Sequence, residues 1–213
     1  MSLFGIVRFR AIPRVILRHS ATVLALTALL VLPGCWVTSI NALYEDGFLS
    51  SKDPDVVFDQ SLIGSWSEIG DKCPVPLTIT AKDGVYDLQS TGKGEGCSDS
   101  LSPSHYQARL VKLDAYYFLD ISPIADDVCD MCIARHNIFL AKFDKATLSI
   151  IPIDSDWLKK AIAAKTVSLA TMPDDSDTLV ASSKDLKAFC RKYAGDKGVF
   201  RPDSTDADTF MRK

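Results

Sequence analysis

The chain has 213 residues, of which 47% are hydrophobic, and its 24 basic and 27 acidic residues give a net charge of −3. This length suits one domain with a sizeable core. The net negative charge excludes the broad basic surface by which proteins hold nucleic acid.

Residues 1–34 have the pattern of a signal peptide. They contain four arginines and no acidic residue, and an uncharged stretch of twelve residues, 21–32, follows the arginines. A membrane-spanning helix needs about 20 apolar residues, so this stretch is too short to cross a bilayer and fits the apolar region of a signal peptide. The arginines precede it, as the positive-inside rule requires.

A lipid attachment site is predicted where the apolar region ends. Leu32, Pro33, Gly34 and Cys35 resemble the bacterial lipobox, in which an apolar, a variable and a small residue precede a cysteine. The resemblance implies that Cys35 is diacylglycerated, cleaved to become the first residue, and N-acylated. Several acyl chains anchor a protein stably, whereas one holds it only marginally. The alternatives are an ordinary secretory signal with an unrelated cysteine, and an uncleaved anchor.

The predicted location is the bacterial cell envelope. Trp36 stands where an Asp usually retains a lipoprotein in the inner membrane, which favours the outer membrane and a domain facing the periplasm. Loss of the signal arginines leaves 20 basic and 27 acidic residues, a net charge of −7. Anionic head groups repel such a chain, so the acyl chains have to supply the anchor.

Residues 35–60 are predicted to be the lipidated cysteine and a tether, because they mix apolar and acidic side chains without a clean period. The folded body is predicted at 61–200. Its apolar side chains mostly alternate with polar ones, which indicates strands. One strand is expected around Trp66 and another near 167–169 or 179–181.

Three hairpins are predicted in this body. Asp83-Gly84 lies between two alternating runs and favours a type I′ turn, which needs positive φ at both central residues. Asp114-Ala115 and residues 144–147 separate two further pairs of runs. Many short antiparallel strands with regular turns favour a mainly β fold, a barrel-like domain or a sandwich.

Two short helices are predicted in the C-terminal part. Asp154 or Ser155 can cap the first, at 157–164. Ser182 or Ser183 can cap the second, at 184–194, with Gly195 at its C-terminal end. We expect these helices to cover an edge of the sheet or plug a barrel mouth. The polar residues 201–213 are predicted to form a flexible tail.

Cysteines beyond Cys35 are expected in an oxidising compartment, where disulfides persist. Cys73 and Cys97 flank the Asp83-Gly84 hairpin, and a bridge between them closes a 25-residue loop. Such a bridge stabilises by about 3 kcal/mol. Cys190 lies on the apolar stripe of the second predicted helix, where a buried, inert thiol is expected.

Cys129 and Cys132 form a Cys-x-x-Cys pair, which has three possible interpretations: a loop disulfide, half of a metal site, or a redox pair. Redox chemistry needs a lowered thiol pKa, but three neighbouring acids, Asp126, Asp127 and Asp130, disfavour the thiolate. A metal site needs about four ligands, which His136 with Cys190 or His105 would have to complete. We favour a disulfide between Cys129 and Cys132 over the other two interpretations.

No catalytic constellation is found in the sequence. His105 neighbours Ser102 and Ser104 in a predicted loop, but this is proximity in sequence alone. No nucleophile elbow, zinc-protease motif or phosphate-binding glycine loop is present. Paired acids such as Asp126-Asp127 and Asp174-Asp175 are typical of solvated turns. We therefore predict neither an enzyme nor a cofactor.

Residues 59–66, with Leu62, Gly64 and Trp66, resemble the Leu-x-Gly-x-Trp opening of lipocalin-like (calycin) domains. The resemblance implies an eight-stranded barrel whose Trp closes one end and whose interior can hold a small apolar ligand. Residues 56–200 also resemble a broad set of uncharacterised bacterial lipoproteins, which brings no assigned activity. The shared motifs here are Gly84-Val85-Tyr86, Ala108-Arg109-Leu110-Val111, Phe118-Leu119-Asp120 and Asp154-Ser155-Asp156-Trp157-Leu158.

Three functional hypotheses follow. The first is a membrane-anchored, non-enzymatic lipoprotein facing the periplasm that binds a small apolar ligand in a barrel mouth. The second is an envelope structural or protein-interaction lipoprotein with a filled core, against which a large apolar cavity would count. The third is a thiol-redox or metal-binding protein built on Cys129 and Cys132. For Trp66 a packing role is favoured over a place in a ligand-binding wall.

Overall fold

A computed structural model describes residues 36–45, 53–70, 74–90, 104–124, 133–202 and 207–213. These residues form twelve strands, two α-helices and a 3-10 turn at Gln60–Leu62. The helices are α1 Ser155–Ala163 and α2 Ser183–Tyr193. The strands are β1 Thr38–Ser39, β2 Val56–Val57, β3 Gly64–Glu68, β4 Pro76–Lys82, β5 Val85–Ser90, β6 Ser104–Leu113, β7 Tyr116–Pro123, β8 His136–Phe143, β9 Thr147–Pro152, β10 Thr171–Met172, β11 Asp175–Leu179 and β12 Asp208–Arg212.

Eight of the strands form a closed antiparallel barrel, which confirms the predicted fold class. The order around the barrel is β3, β4, β5, β6, β7, β8, β9 and β12. Strand β12 closes the ring, because it pairs with β9 on one side and with β3 on the other. Closure leaves these eight strands without an unpaired edge.

The Asp83-Gly84 turn and the N-caps of the two helices act as the sequence predicted. Asp83 and Gly84 both have positive φ, 53° and 79°, as a type I′ turn requires. The Asp154 carboxylate accepts from the Trp157 N–H at 2.7 Å and caps α1. The Ser182 hydroxyl accepts from the N–H three residues on and caps α2. The extra strand expected near 167–169 or 179–181 is β11, which reaches only the first residue of the second range.

The strands β6 to β9 are buried on both faces. Leu110, Leu119 and Phe139 point into the barrel and belong to its inner core. Val111 and Phe118 point outward into a second core, which the two helices cover. The helices therefore pack on the outer face of the barrel, rather than on an edge or in a mouth. A closed barrel offers no edge, and this outer face is the apolar surface that needs cover.

The predicted tether at 35–60 is wrong for its described residues. Strand β1 pairs with β8 at His136 and Asn137, and with β11 on its other side. Val37 and Leu43 are buried in the outer core. The segment is held because its scattered apolar side chains fill the space between the barrel and α2, a role that no regular period reveals.

The predicted flexible tail at 201–213 is also wrong, since it contains β12. The backbone of β12 is hydrogen-bonded to strands on both sides, and Phe210 fills the inner core. A strand whose partners lie on both sides can keep a polar composition, because its stability comes from the ladder and from one inward side chain.

A buried ion-pair network fixes α2 to the segment before β2. The Lys187 ammonium lies 2.7 and 2.8 Å from the two oxygens of Asp53 and 2.7 Å from Asp55. The Asp53 carboxylate also accepts from the N–H groups of Glu45 and Asp55. Burial raises the pKa of Asp53, but the lysine and the two N–H groups outweigh it and hold that pKa below its ordinary value of 3.8.

We expect Lys187→Met to lower the free energy of unfolding by about 3 kcal/mol at pH 7, because it leaves the Asp53 carboxylate buried and unpaired. A lowered pKa stabilises the fold above the ordinary pKa, and this stabilisation is lost as the pH falls through the lowered value. The difference in the free energy of unfolding between wild type and variant should therefore decrease below about pH 4. Urea unfolding at several pH values measures it.

The matched control is Lys184→Met, which removes an exposed lysine from the same helix. It should change the free energy of unfolding by less than about 0.5 kcal/mol. Equal losses for the two variants, or a gap independent of pH, would contradict a structural role for the Asp53–Lys187 pair.

Candidate functional site

One end of the barrel is closed by Trp66 and Arg212. Trp66 is fully buried, and its indole N–H donates to the Leu62 carbonyl at 3.0 Å. The Arg212 guanidinium lies 4.2 Å from the centre of the indole ring. It also donates to the backbone carbonyls of Ser61, Ile63 and Lys145, so it joins three segments across this end.

Gly64 is required by this closure. Its φ is +149°, and a Cβ at this position would collide with the Arg212 guanidinium. The Leu62, Gly64 and Trp66 motif thus has a physical basis: the leucine carbonyl accepts the indole N–H, and the glycine leaves room for the arginine. Trp66 packs at this closed end of the barrel.

The opposite end of the barrel is open and contains a pocket of about 400 Å³. Its walls come from seven of the eight barrel strands, all except β3. Most of the wall is apolar, and its deep part consists of inward-facing side chains: Leu77, Leu88, Ile121, Phe139, Ile150 and Phe210. All six also belong to the inner core, so the core itself forms the deep wall of the pocket.

The entrance of this pocket combines aromatic and polar side chains. Trp36 and Tyr106 line it, and the Trp36 ring meets Phe139 edge-on at 5.3 Å. Ser90, Ser104, Asn137 and Asp208 are its polar groups, of which Asp208 alone carries a charge. An apolar cavity with a few polar groups at its entrance is the usual form of a site for small molecules.

A larger cleft of about 640 Å³ lies beside α1, but its chemistry is that of an ordinary charged surface. It is lined by acids and bases together, among them Asp156, Lys160 and Lys197. Arg201 forms an ion pair with Asp154 within it, at 3.1 Å. The mouth of the barrel is the stronger candidate because it is the more enclosed and the more apolar of the two.

The two histidines among the described residues lie apart and form separate pairs. His105 contacts Asp87 at 2.8 Å on the outside of the barrel, and does not bond to Ser104. His136 contacts the buried Asp120 at 2.6 Å. The second oxygen of Asp120 accepts from the Leu43 N–H at 2.5 Å, so this acid holds the N-terminal segment on the barrel.

Cys190 is a buried free thiol, as predicted. Burial raises its pKa strongly, and the negative charge of Asp120 raises it further. The thiol is therefore protonated at neutral pH and is a poor nucleophile or metal ligand. Within the described parts of the chain, no three His, Cys, Asp or Glu residues come together in a way that could hold a metal ion.

Several predicted positions lie outside the described residues. These are the signal-cleavage motif of Leu32, Pro33 and Gly34, the lipidation site Cys35, the disulfide candidates Cys73, Cys97, Cys129 and Cys132, and the acids Asp126 and Asp127. Among the helices of the described residues, none is long and apolar enough to cross a membrane. Searches among protein-family models, curated proteins and solved structures found no match to this chain.

Sequence reasoning missed the pocket-lining residues Trp36, Tyr106, Phe139 and Phe210. Phe139 and Phe210 are inward-facing apolar side chains, and nothing in their spacing separates a cavity wall from a filled core. Trp36 lies in the segment that the sequence predicts to be a tether. A tryptophan next to the predicted lipidation site was the available signal, since this residue type is common at membrane interfaces.

We expect Arg212→Ala to lower the free energy of unfolding by about 3 kcal/mol, because charged hydrogen bonds to three carbonyls and the contact over Trp66 are lost together. Arg201→Ala is the control. It removes a half-exposed ion pair with Asp154 and should cost less than about 1 kcal/mol. Urea unfolding compares the two, and similar losses would refute the role given to Arg212.

Proposed function

We propose that this protein is a lipid-anchored, non-enzymatic envelope protein that holds a small apolar ligand in the open mouth of its barrel. The observation that carries the proposal is the apolar pocket of about 400 Å³ opposite the end sealed by Trp66. The anchor and the location rest on the lipobox at Leu32–Cys35 and the predicted signal peptide before it.

The shape and lining of the pocket support an apolar ligand. Pockets for small molecules commonly measure about 300–1,000 Å³ and are mostly apolar, with a few polar groups that orient the ligand. Transfer of apolar surface from water into such a wall is favourable by about 25 cal/mol per Å². Ser90, Ser104 and Asn137 offer hydrogen bonds at the entrance, where a polar head group of an otherwise apolar molecule would lie.

The composition of the wall also supports a binding role over catalysis. Asp208 is the one charged residue among those that line the pocket. His105 and the Asp120–His136 pair lie outside the lining. General acid–base chemistry needs a titratable group within hydrogen-bond reach of the substrate, commonly paired with a second one.

The pocket counts against the hypothesis of a filled core, which requires the barrel interior to be occupied by side chains throughout. The thiol-redox or metal hypothesis depends on Cys129 and Cys132, which lie outside the described residues. The apolar binding module is therefore the function that we carry forward.

A fluorescence titration with anilinonaphthalene sulfonate, a probe that brightens in apolar sites, tests the pocket. We expect Ser90→Phe to weaken binding at least tenfold, because Ser90 lines the pocket and a phenyl ring there occupies part of it. The matched control is Thr78→Phe, which places the same ring on the exposed outer face of the neighbouring strand β4. It should leave the affinity unchanged.

Native mass spectrometry of the exported chain gives an independent readout. A copurified small molecule that is retained by Thr78→Phe and lost from Ser90→Phe would identify the ligand class. Equal probe binding by both variants, together with a bare mass for the wild type, would overturn the proposal.

A further inference from the structure

We infer that the rim of the mouth docks on a lipid surface, so that the pocket opens toward the membrane and takes its ligand from it. This inference rests on the proposed function and names the source of the ligand. The rim is defined here by four exposed side chains at the open end of the barrel: Trp36, Ile69, Tyr106 and Ile133.

These four residues account for half of the large hydrophobic side chains that the described chain exposes. Trp36 and Tyr106 line the mouth itself and are 44% and 39% exposed. Ile69 donates its N–H to Thr209, next to the pocket residue Asp208, and is 47% exposed. Ile133 is 70% exposed and lies three residues before His136, where β8 begins at the mouth end.

Single exposed apolar residues are normal on soluble proteins, but a group of them around one opening indicates a contact surface. The residue types favour a bilayer. Tryptophan and tyrosine prefer the membrane–water interface, where an apolar ring and a polar edge are both satisfied. The two isoleucines at the same end can enter the boundary of the acyl chains.

The position of the predicted anchor identifies the occupant of this surface. Cys35 is bonded to Trp36, so its Cα lies only about 3.8 Å from that of a rim residue. The chain directly after Trp36 is fixed, because β1 pairs with β8 and the Asp120 carboxylate binds the Leu43 N–H. No slack tether separates acyl chains on Cys35 from the barrel, and the mouth is the end that they bring to the bilayer.

The negative charge of the protein implies that apolar side chains, rather than charged ones, make the contact with the membrane. The mature chain carries a net charge of −7, and two acids, Glu68 and Asp208, stand at the mouth end of their strands. Zwitterionic lipid is therefore the expected surface, and anionic lipid is disfavoured. A pocket held at such a surface exchanges apolar molecules with the bilayer without passing them through water, so the ligand class is a membrane lipid or another molecule dissolved in the membrane.

The test uses the full chain, produced with its own signal, and phosphatidylcholine vesicles that contain brominated acyl chains, which quench tryptophan by contact. In a Trp36→Phe background, Ile133→Trp reports on the rim. Met211→Trp reports on the closed end, where Met211 is 53% exposed and pairs with Ser67 of β3. We expect quenching of the rim probe to exceed that of the closed-end probe at least threefold, after subtraction of the signal that both variants share.

Equal quenching of the two probes, or none of either, would overturn the docking inference. The two tryptophan variants are also compared after addition of the protein from solution to excess vesicles. This second comparison tests docking of the rim even if the protein carries no acyl groups. A mass spectrum of the purified protein reports the acylation separately.

The pocket and the rim are distinguishable by their variants. Ser90→Phe should weaken probe binding in the pocket at least tenfold and leave the contrast between the two tryptophan probes intact. Ile69→Ser with Ile133→Ser should weaken vesicle association of the added chain at least fivefold and leave pocket binding unchanged, because neither isoleucine lines the pocket. Phe58→Ser with Met211→Ser removes similar apolar area away from the rim and should leave vesicle association unchanged.

Discussion

The pairing of β12 with β3 and β9 decides whether this chain forms a barrel at all. Without it, β3 and β9 would be exposed edges of an open sheet, and the inner core would face solvent along that gap. Arg212, at the end of β12, adds hydrogen bonds to three backbone carbonyls and covers the ring of Trp66. The closure of the barrel and the sealing of one of its ends thus depend on the same short strand. The pocket lies at the other end, which neither Trp66 nor Arg212 covers.

Burial of β6 to β9 on both faces follows from this closed shape. A barrel of eight strands hides one face of every strand, and the outward apolar residues of β6 to β9 then need a second layer. Helices α1 and α2, the segment 36–45 and β11 all contribute to that layer. The Asp53–Lys187 and Asp120–Leu43 contacts fix the segment there, with each buried carboxylate satisfied by N–H groups or by a cation. The N-terminal segment is therefore part of the fold, and Trp36 reaches the mouth because of it.

Local signals in the sequence predicted the hairpins, the caps and the fold class, because Asp83-Gly84, Asp154 and Ser182 determine backbone geometry within a few residues of themselves. Strand β12 was not predictable in this way. Its contacts lie 60 residues away at Ser149 and 149 residues away at Ile63, and its composition is mostly polar. The pocket was not predictable for a different reason. It is lined by residues from seven strands, and the sequence pattern around an inward-facing phenylalanine is the same whether that side chain fills a core or borders a cavity.

The two ends of the barrel differ in how they shield apolar surface from water. The end with Trp66 is filled and hydrogen-bonded, so apolar surface is removed from water by the protein alone. At the mouth, Phe139 and its neighbours border an apolar cavity, and the rim exposes a group of large apolar side chains. Both features are explained if something apolar completes the mouth. In our proposal, a bilayer beside Trp36 supplies that cover and the molecule that fills the pocket, so the predicted anchor, the rim and the cavity form one arrangement.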